Sequence, residues 1–222
     1  MIFGAIFMNA RAIIFDLDGT LLDTLGDLTD AVNHILQKHG YPLRTLQEIR
    51  TFVGNGAAQL LRRALPEGTD ENTVQDLLAE YQIYYLHHSE IRTAPYEGIT
   101  ELLNQLQRRG IKMAVVSNKG DLQVKPLVAK YFPQIPIALG EQEGMRRKPH
   151  TDMVEHALRL LDIPREEAAF MGDSEVDGET ANNANLPFLA VGWGFRDKEQ
   201  LLPYSPALFL DRPEDLLNAL EN

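Results

Sequence analysis

The chain has 222 residues, 44% of them hydrophobic and 24% charged, and a formal net charge of -11. That length accommodates one large domain or a core domain with an insertion, and the composition is ordinary for a globular protein. The acid excess argues against a nucleic-acid backbone or an anionic membrane as partner, while the lack of cysteine excludes disulfides, thiolate nucleophiles and thiolate metal sites and makes a reducing cytoplasm the expected compartment.

The first eight residues, Met1 to Met8, are apolar but far short of the roughly 20 that span a bilayer. They lack the positive leading region of a signal peptide, and residues 1–8 read as an extension upstream of a start at Met8. An extra strand or an oligomer contact is the other reading. Ala12-Ile13-Ile14-Phe15 has the make-up of a buried strand, ended by Gly19 and Thr20, with Asp16 and Asp18 at its carboxyl end. In an open α/β sheet that edge is where ligands bind. Two carboxylates in so short a run are costly to bury without a cation or donors, which a metal and a phosphate would supply.

Leu25, Leu28, Val32, Ile35 and Leu36 recur at three- and four-residue steps and predict a helix from Leu25 to Lys38, stopped by Gly40 and Pro42. A second helix follows Gly54-Asn55-Gly56 through Leu60, Leu61 and Leu65, and a third runs from Val74 to His87. No strand-like run separates them, so residues 24–93 read as a helical insertion. Adjacent His87 and His88 point to different sides of their helix and are expected to be exposed rather than metal-ligating. Thr93 to Gly98 is a hinge.

Beyond the hinge, strands and helices alternate, as in βαβ units with a mostly parallel sheet. Predicted strands are Ile111 to Val116, Ile137 to Leu139, Ala168 to Met171, Pro187 to Val191 and Ala207 to Leu210. The expected fold class is α/β, a Rossmann-like three-layer core over residues 9–23 and 94–222 plus a small all-helical domain. The first strand ends in Asp16 and Asp18, the second of the core in Ser117-Asn118, and a later one in Gly172-Asp173 with Asp177 four residues on. Lys148-Pro149 falls between the last two. Several buried runs thus deliver polar groups to one edge.

Asp16-Leu17-Asp18-Gly19-Thr20, Ser117-Asn118, Lys148-Pro149 and Gly172-Asp173-Ser174-X-X-Asp177 resemble, in order and over almost the whole chain, the four motifs of the haloacid dehalogenase superfamily. The insertion resembles that superfamily's type 1 cap. Arg50 to Gly56 and Pro95-Tyr96-Glu97-Gly98 look most like phosphoglycolate phosphatases. The resemblance implies a Mg2+-dependent phosphatase acting on a small anionic phosphorylated metabolite, as a monomer or homodimer, with phosphoglycolate as leading substrate. A phosphomutase, nucleotidase, pyrophosphatase or broad-specificity phosphatase is the alternative.

Carried over residue by residue, the resemblance makes Asp16 the nucleophile that forms an aspartyl phosphate, dividing one difficult hydrolysis into two steps. Its metal ligands are Asp16, Asp173 and the main-chain carbonyl of Asp18, with Asp177 orienting a bound water or Lys148. Asp18 is the acid and base; Ser117 and the main-chain N–H of Asn118 donate to phosphoryl oxygens, and Lys148 offsets developing charge. Gly19 and Asn118 border the substrate. Gly54, Asn55 and Gly56 can offer N–H groups to an anion, and Arg50 can pair with a substrate carboxylate. Trp193 reads as packing. Asn185 stands where the family usually has Gly, and a left-handed turn is expected there.

A carbon–halogen hydrolase does not need Asp18, and a phosphonate-cleaving enzyme uses a lysine of the insertion, where only Lys38 is present. A non-enzymatic relative would be expected to have lost one of Asp16, Asp18, Lys148 and Asp173, and all are present.

Overall fold

The computed structural model describes residues 10–220, so the reading of residues 1–8 lies outside the described residues. The described chain divides into two compact units: one holds the residues up to Leu21 and those from Pro95 onward, the other Leu22–Ala94.

The first unit is built on six strands. These are β1 (Ala12–Phe15), β4 (Lys112–Gly120), β5 (Ile137–Glu141), β6 (Ala168–Gly172), β7 (Phe188–Val191) and β8 (Leu208–Leu210). Their order is β5-β4-β1-β6-β7-β8, and every neighbouring pair is parallel. β1 sits between β4 and β6, with Ile13 opposite Met113 on one side and Ala169 on the other. Alternate residues Ala12 and Ile14, Ala114 and Val116, and Ala168 and Phe170 share one cluster with Met153, Val154, Ala157 and Ala181. The opposite parity, Ile13, Phe15, Met113, Val115, Ala169 and Met171, is equally buried. Both faces are therefore covered, which is why these strands read as continuous apolar runs rather than alternating ones. The chain passes from β1 outward through β4 to β5, then returns to β6 on the other side of β1. That reversal opens a crevice at the carboxyl ends of the central strands.

The other unit carries four helices: α1 (Leu25–Lys38), α2 (Leu46–Phe52), α3 (Gly56–Ala64) and α4 (Glu71–His88). Short strands β2 (Leu22–Asp23) and β3 (Ala94–Pro95) pair with each other where the chain enters and leaves it. Three helices fall where the apolar periodicity puts them. α2 is additional, and a capping box between Thr45 and Glu48 starts it. The buried carboxylate of Asp27 on α1 accepts the N–H groups of Ile91, Arg92 and Thr93 and the Thr93 hydroxyl, at 2.8–3.1 Å. It ties the first turn of the first helix to the segment leaving the last. His87 is exposed as expected, but His88 is half-buried, because its ring stacks on Tyr84 at 3.9 Å.

Helices α5 (Ile99–Arg108), α6 (Asp121–Tyr131), α7 (Asp152–Leu161), α8 (Glu175–Asn183), α9 (Lys198–Leu201) and α10 (Glu214–Ala219) complete the first unit. Asn185 takes φ 52°, the left-handed turn expected where a glycine is usual. Among the described residues no helix is long and apolar enough to cross a membrane.

Candidate active site

The three central strands bring together polar residues far apart in sequence. Asp16 follows β1 and donates its main-chain N–H to the Met171 carbonyl of β6 at 2.9 Å. Ser117, Asn118 and Lys119 are the last side-chain-bearing residues of β4, within the stretch between Val116 and Gly120 where its pairing with β5 shifts register. Asp173 follows β6, and Asp177 lies in the first turn of α8. There Ser174 and Asp177 form a reciprocal capping box. Asp177 Oδ2 accepts from the N–H groups of Asp173 and Ser174 at 3.2 and 3.0 Å and from Ser174 Oγ at 2.6 Å. The helix start thereby fixes the carboxylate.

Lys148 arrives from the segment between β5 and α7 with its ammonium 2.8 Å from Asp16 Oδ1 and 2.7 Å from Asp177 Oδ1. It is a buried bridge between two carboxylates, not one member of a solvated cluster with Arg146 and Arg147. Its backbone is held as well, since Asn118 Nδ2 donates to the Lys148 carbonyl at 3.0 Å. Asp173 Oδ1 accepts from Thr20 Oγ1 at 3.1 Å and Oδ2 from the Phe195 N–H at 2.7 Å. Trp193 packs on the same loop, its indole N–H donating to the Thr20 carbonyl at 3.0 Å. Gly194 and Gly19 permit the close approach: a Cβ on Gly194 would stand 2.3 Å from Asp173 Cβ, and one on Gly19 2.3 Å from Asp173 Oδ2.

Burial pushes the Asp16 carboxyl up to about 7, with Lys148 pulling it down and Asp177 and Asp18 pushing it further up. Burial likewise holds Asp173 well above the carboxylate range, helped by Asp177 and Asp16. For Lys148 burial alone would lower the ammonium; Asp16 and Asp177 outweigh it and hold it above its ordinary value. Three buried acids thus converge where one buried lysine contacts two of them, and in their ionised forms they outnumber the local positive charge.

That imbalance is what a divalent cation would correct. Ligand atoms of Asp16, Asp173 and Asp177 lie within 4.8 Å of one another. Asp16 Oδ1, though in ion-pair contact with Lys148, accepts no aligned hydrogen bond. An all-oxygen donor set of few carboxylates fits magnesium.

Asp18 stands apart from this cluster. Its two oxygens accept from Lys119 Nζ at 3.0 and 3.1 Å. Lys119 is the residue that the motif reading passes over. Its position directly after Ser117-Asn118 is the only sequence signal for it. Ser117 is buried and accepts the Lys119 N–H at 3.3 Å.

Arg50, Gly54, Asn55 and Gly56 belong to the helical unit. Arg50 is half-buried in the last turn of α2, and Gly54 and Gly56 take φ of 122° and 79°, conformations open to glycine. Asn55 is not an open donor–acceptor arm, because its Oδ1 accepts from Arg63, whose other nitrogen donates to the Phe52 carbonyl at 2.8 Å. Arg63 therefore braces this loop.

Comparison with known proteins bears on the same segments. The haloacid dehalogenase-like hydrolase family matches residues 13–191. A phosphoglycolate phosphatase of Pseudomonas savastanoi pv. phaseolicola is 33% identical over 211 residues, covering 90% of this chain and 76% of that one. Phosphoglycolate phosphatase 1 of Pseudomonas aeruginosa is 33% identical over 217 residues, covering 93% and 78%. The crystal structure of a candidate phosphoglycolate phosphatase from Lactobacillus delbrueckii subsp. bulgaricus superposes with a TM-score of 0.88 at 35% identity, covering 95% of this chain and 98% of that one.

Proposed function

The chain belongs to the haloacid dehalogenase-like hydrolases, and from that premise we propose that it is a magnesium-dependent phosphatase that hydrolyses a small phosphate monoester through an aspartyl phosphate on Asp16. Phosphoglycolate is the leading substrate, on the strength of the activity named for its relatives. The observation that carries the reading is the Lys148 bridge, which holds a buried ammonium against Asp16 and Asp177 beside a third buried acid, Asp173.

Asp16 attacks phosphorus, and the leaving alkoxide departs with a proton from Asp18. Asp18 then takes a proton from the water that attacks the aspartyl phosphate, returning both carboxyls to their starting forms. The Ser117 hydroxyl and the Asn118 N–H bind phosphoryl oxygens, and Lys148 offsets the charge that develops on them. Asp16, Asp173 and the main-chain carbonyl of Asp18 would hold the magnesium ion, which supplies the charge neutralisation that lets a carboxylate approach a phosphate dianion. Asp177 keeps Lys148 and the start of α8 in place. Substrate choice is assigned to Arg50 and the Gly54-Asn55-Gly56 loop, and Gly19 and Asn118 border the phosphate.

The test is phosphate release from a panel of small phosphorylated metabolites with magnesium present, for the native chain and for Asp16→Asn. Release that is abolished by Asp16→Asn and by excess chelator is expected, with phosphoglycolate among the best substrates. Undiminished release in either case would refute the mechanism. Failure of phosphoglycolate alone would refute only the substrate.

A further inference from the structure

Lys119 has no role in the chemistry just described, yet its side chain is 6% exposed and its ammonium meets both oxygens of an acid that has one. We propose that Lys119 is a positioning residue: it holds the Asp18 carboxylate off the cluster formed by Asp16 and Asp173 and so reserves Asp18 for proton transfer. The inference rests on the metal-dependent reading above.

Asp18 lies two residues from Asp16, close enough to feel its charge. A divalent cation between Asp16 and Asp173 would attract any neighbouring carboxylate. A carboxylate captured as a metal ligand is held on the ion rather than at the leaving oxygen, and is lost as an acid and base. Magnesium needs only one or two carboxylates and otherwise keeps water, so a further one adds affinity at the expense of function. The resting geometry shows Asp18 engaged elsewhere. Its oxygens are not among the three that converge within 4.8 Å, and they lie instead at 3.0 and 3.1 Å from Lys119 Nζ. Lys119 is carried near the end of β4, whose residues Lys112 to Val115 pair in parallel register with β1, the strand that leads to Asp18. An ammonium suits the task because it is a compact charge with three donors, able to satisfy both oxygens at once. The shift of pairing register before Gly120 sets the terminal residues of β4 off from the regular ladder, where Lys119 turns toward the acid.

The experiment compares the native chain, Lys119→Met and Lys119→Gln, each also in an Asp18→Asn background. Two quantities are measured: magnesium affinity by calorimetric titration of metal-free protein, and kcat for an alkyl and an aryl phosphate. Lys119→Met should bind magnesium about three- to tenfold more tightly, as the released Asp18 joins the cluster. Its kcat should fall by about a hundredfold on the alkyl ester, whose alkoxide needs a proton on departure, and by under about threefold on the aryl ester, whose leaving group does not. In the Asp18→Asn background the same substitution should leave affinity unchanged. Lys119→Gln, which keeps a donor, should fall between, and it stands in if the Met variant does not fold.

Tightening that persists in the Asp18→Asn background would mean that loss of a positive charge is the whole effect, and would overturn the proposal. So would equal losses on the two esters with weakened metal binding, the pattern of a merely structural residue. A native chain that binds no magnesium and releases no phosphate would remove the phosphatase reading itself. A native chain that does both, with Lys119→Met unaltered in affinity, would remove only the inference about Lys119.

Discussion

Lys148 Nζ lies 2.7 Å from Asp177 Oδ1, with the two side chains 2% and 0% exposed. The other Asp177 oxygen is taken up by the start of α8, so the acid is fixed independently and the ammonium takes its place from it. Asp177→Ala removes the partner of a buried charge and three hydrogen-bond acceptances together. We expect it to lower the free energy of unfolding by about 3–5 kcal/mol in urea titration, the range for one-sided loss of a buried ion pair. A loss under about 1 kcal/mol would show that water reaches Lys148.

The raised acids give the metal-free protein a characteristic dependence on pH. A carboxyl whose pKa is higher folded than unfolded stabilises the fold fully below its ordinary value, and that contribution is lost as pH rises to the folded one. For Asp16 the window runs from 3.8 to about 7, and Asp173 acts in the same direction. Glu48 and Asp70, lowered by hydrogen bonds from Thr45 and Thr73, pull the other way at the acid end. The comparison is therefore with Asp16→Asn: in chelator, the native chain should lose urea stability relative to the variant as pH climbs through the window. Magnesium should flatten the difference. A native chain that gains on the variant would reverse the sign and exclude the raised Asp16.

Asp27 makes a prediction confined to the helical unit. Its carboxylate gathers three consecutive main-chain N–H groups and a hydroxyl. Asp27→Ala leaves those donors without a charged acceptor, a loss of roughly 1.5–3 kcal/mol for bonds of this kind. Hydrogen exchange at Ile91, Arg92 and Thr93 should accelerate, with that at Phe170 on β6 little changed. Equal acceleration at both would mean that the two units unfold as one.

Gly194→Ala should damage the site without altering its charge. The added methyl would meet Asp173 Cβ at 2.3 Å and the Gly19 carbonyl at 2.4 Å, and neither can retreat without shifting a loop. A stability loss of about 1–3 kcal/mol, usual for overpacking, should accompany weaker magnesium binding by calorimetry. Unchanged metal affinity would show that the Asp173 loop yields freely.

The central strands were legible because parallel strands buried on both faces leave apolar runs, and the acids after them interrupt those runs abruptly. Some helices were harder. α8 buries Gly178, Thr180 and Ala181 in place of a leucine stripe, and a Cβ at Gly178 would stand 2.5 Å from Tyr204 Cβ, so its packing is one of close approach. α2 buries only Ile49, too little for a period, although Thr45 and Glu48 signalled its start. Lys119 escaped for another reason. A lysine at a strand end is ordinarily solvated, and this one is instead paired with an acid 101 positions earlier. Pairing across that separation is a property of the sheet order and is written in no local pattern.

The sheet order also has a consequence for synthesis. β1 emerges first from the ribosome but acquires its two neighbours only much later, and Thr20 must wait for a partner 153 positions on. Until β6 is added, Asp16 lacks the strand to which its N–H is tied, and Lys148 lacks Asp177. A polypeptide released before that point would lack Asp173 and Asp177, and with them the acid cluster proposed to hold the ion.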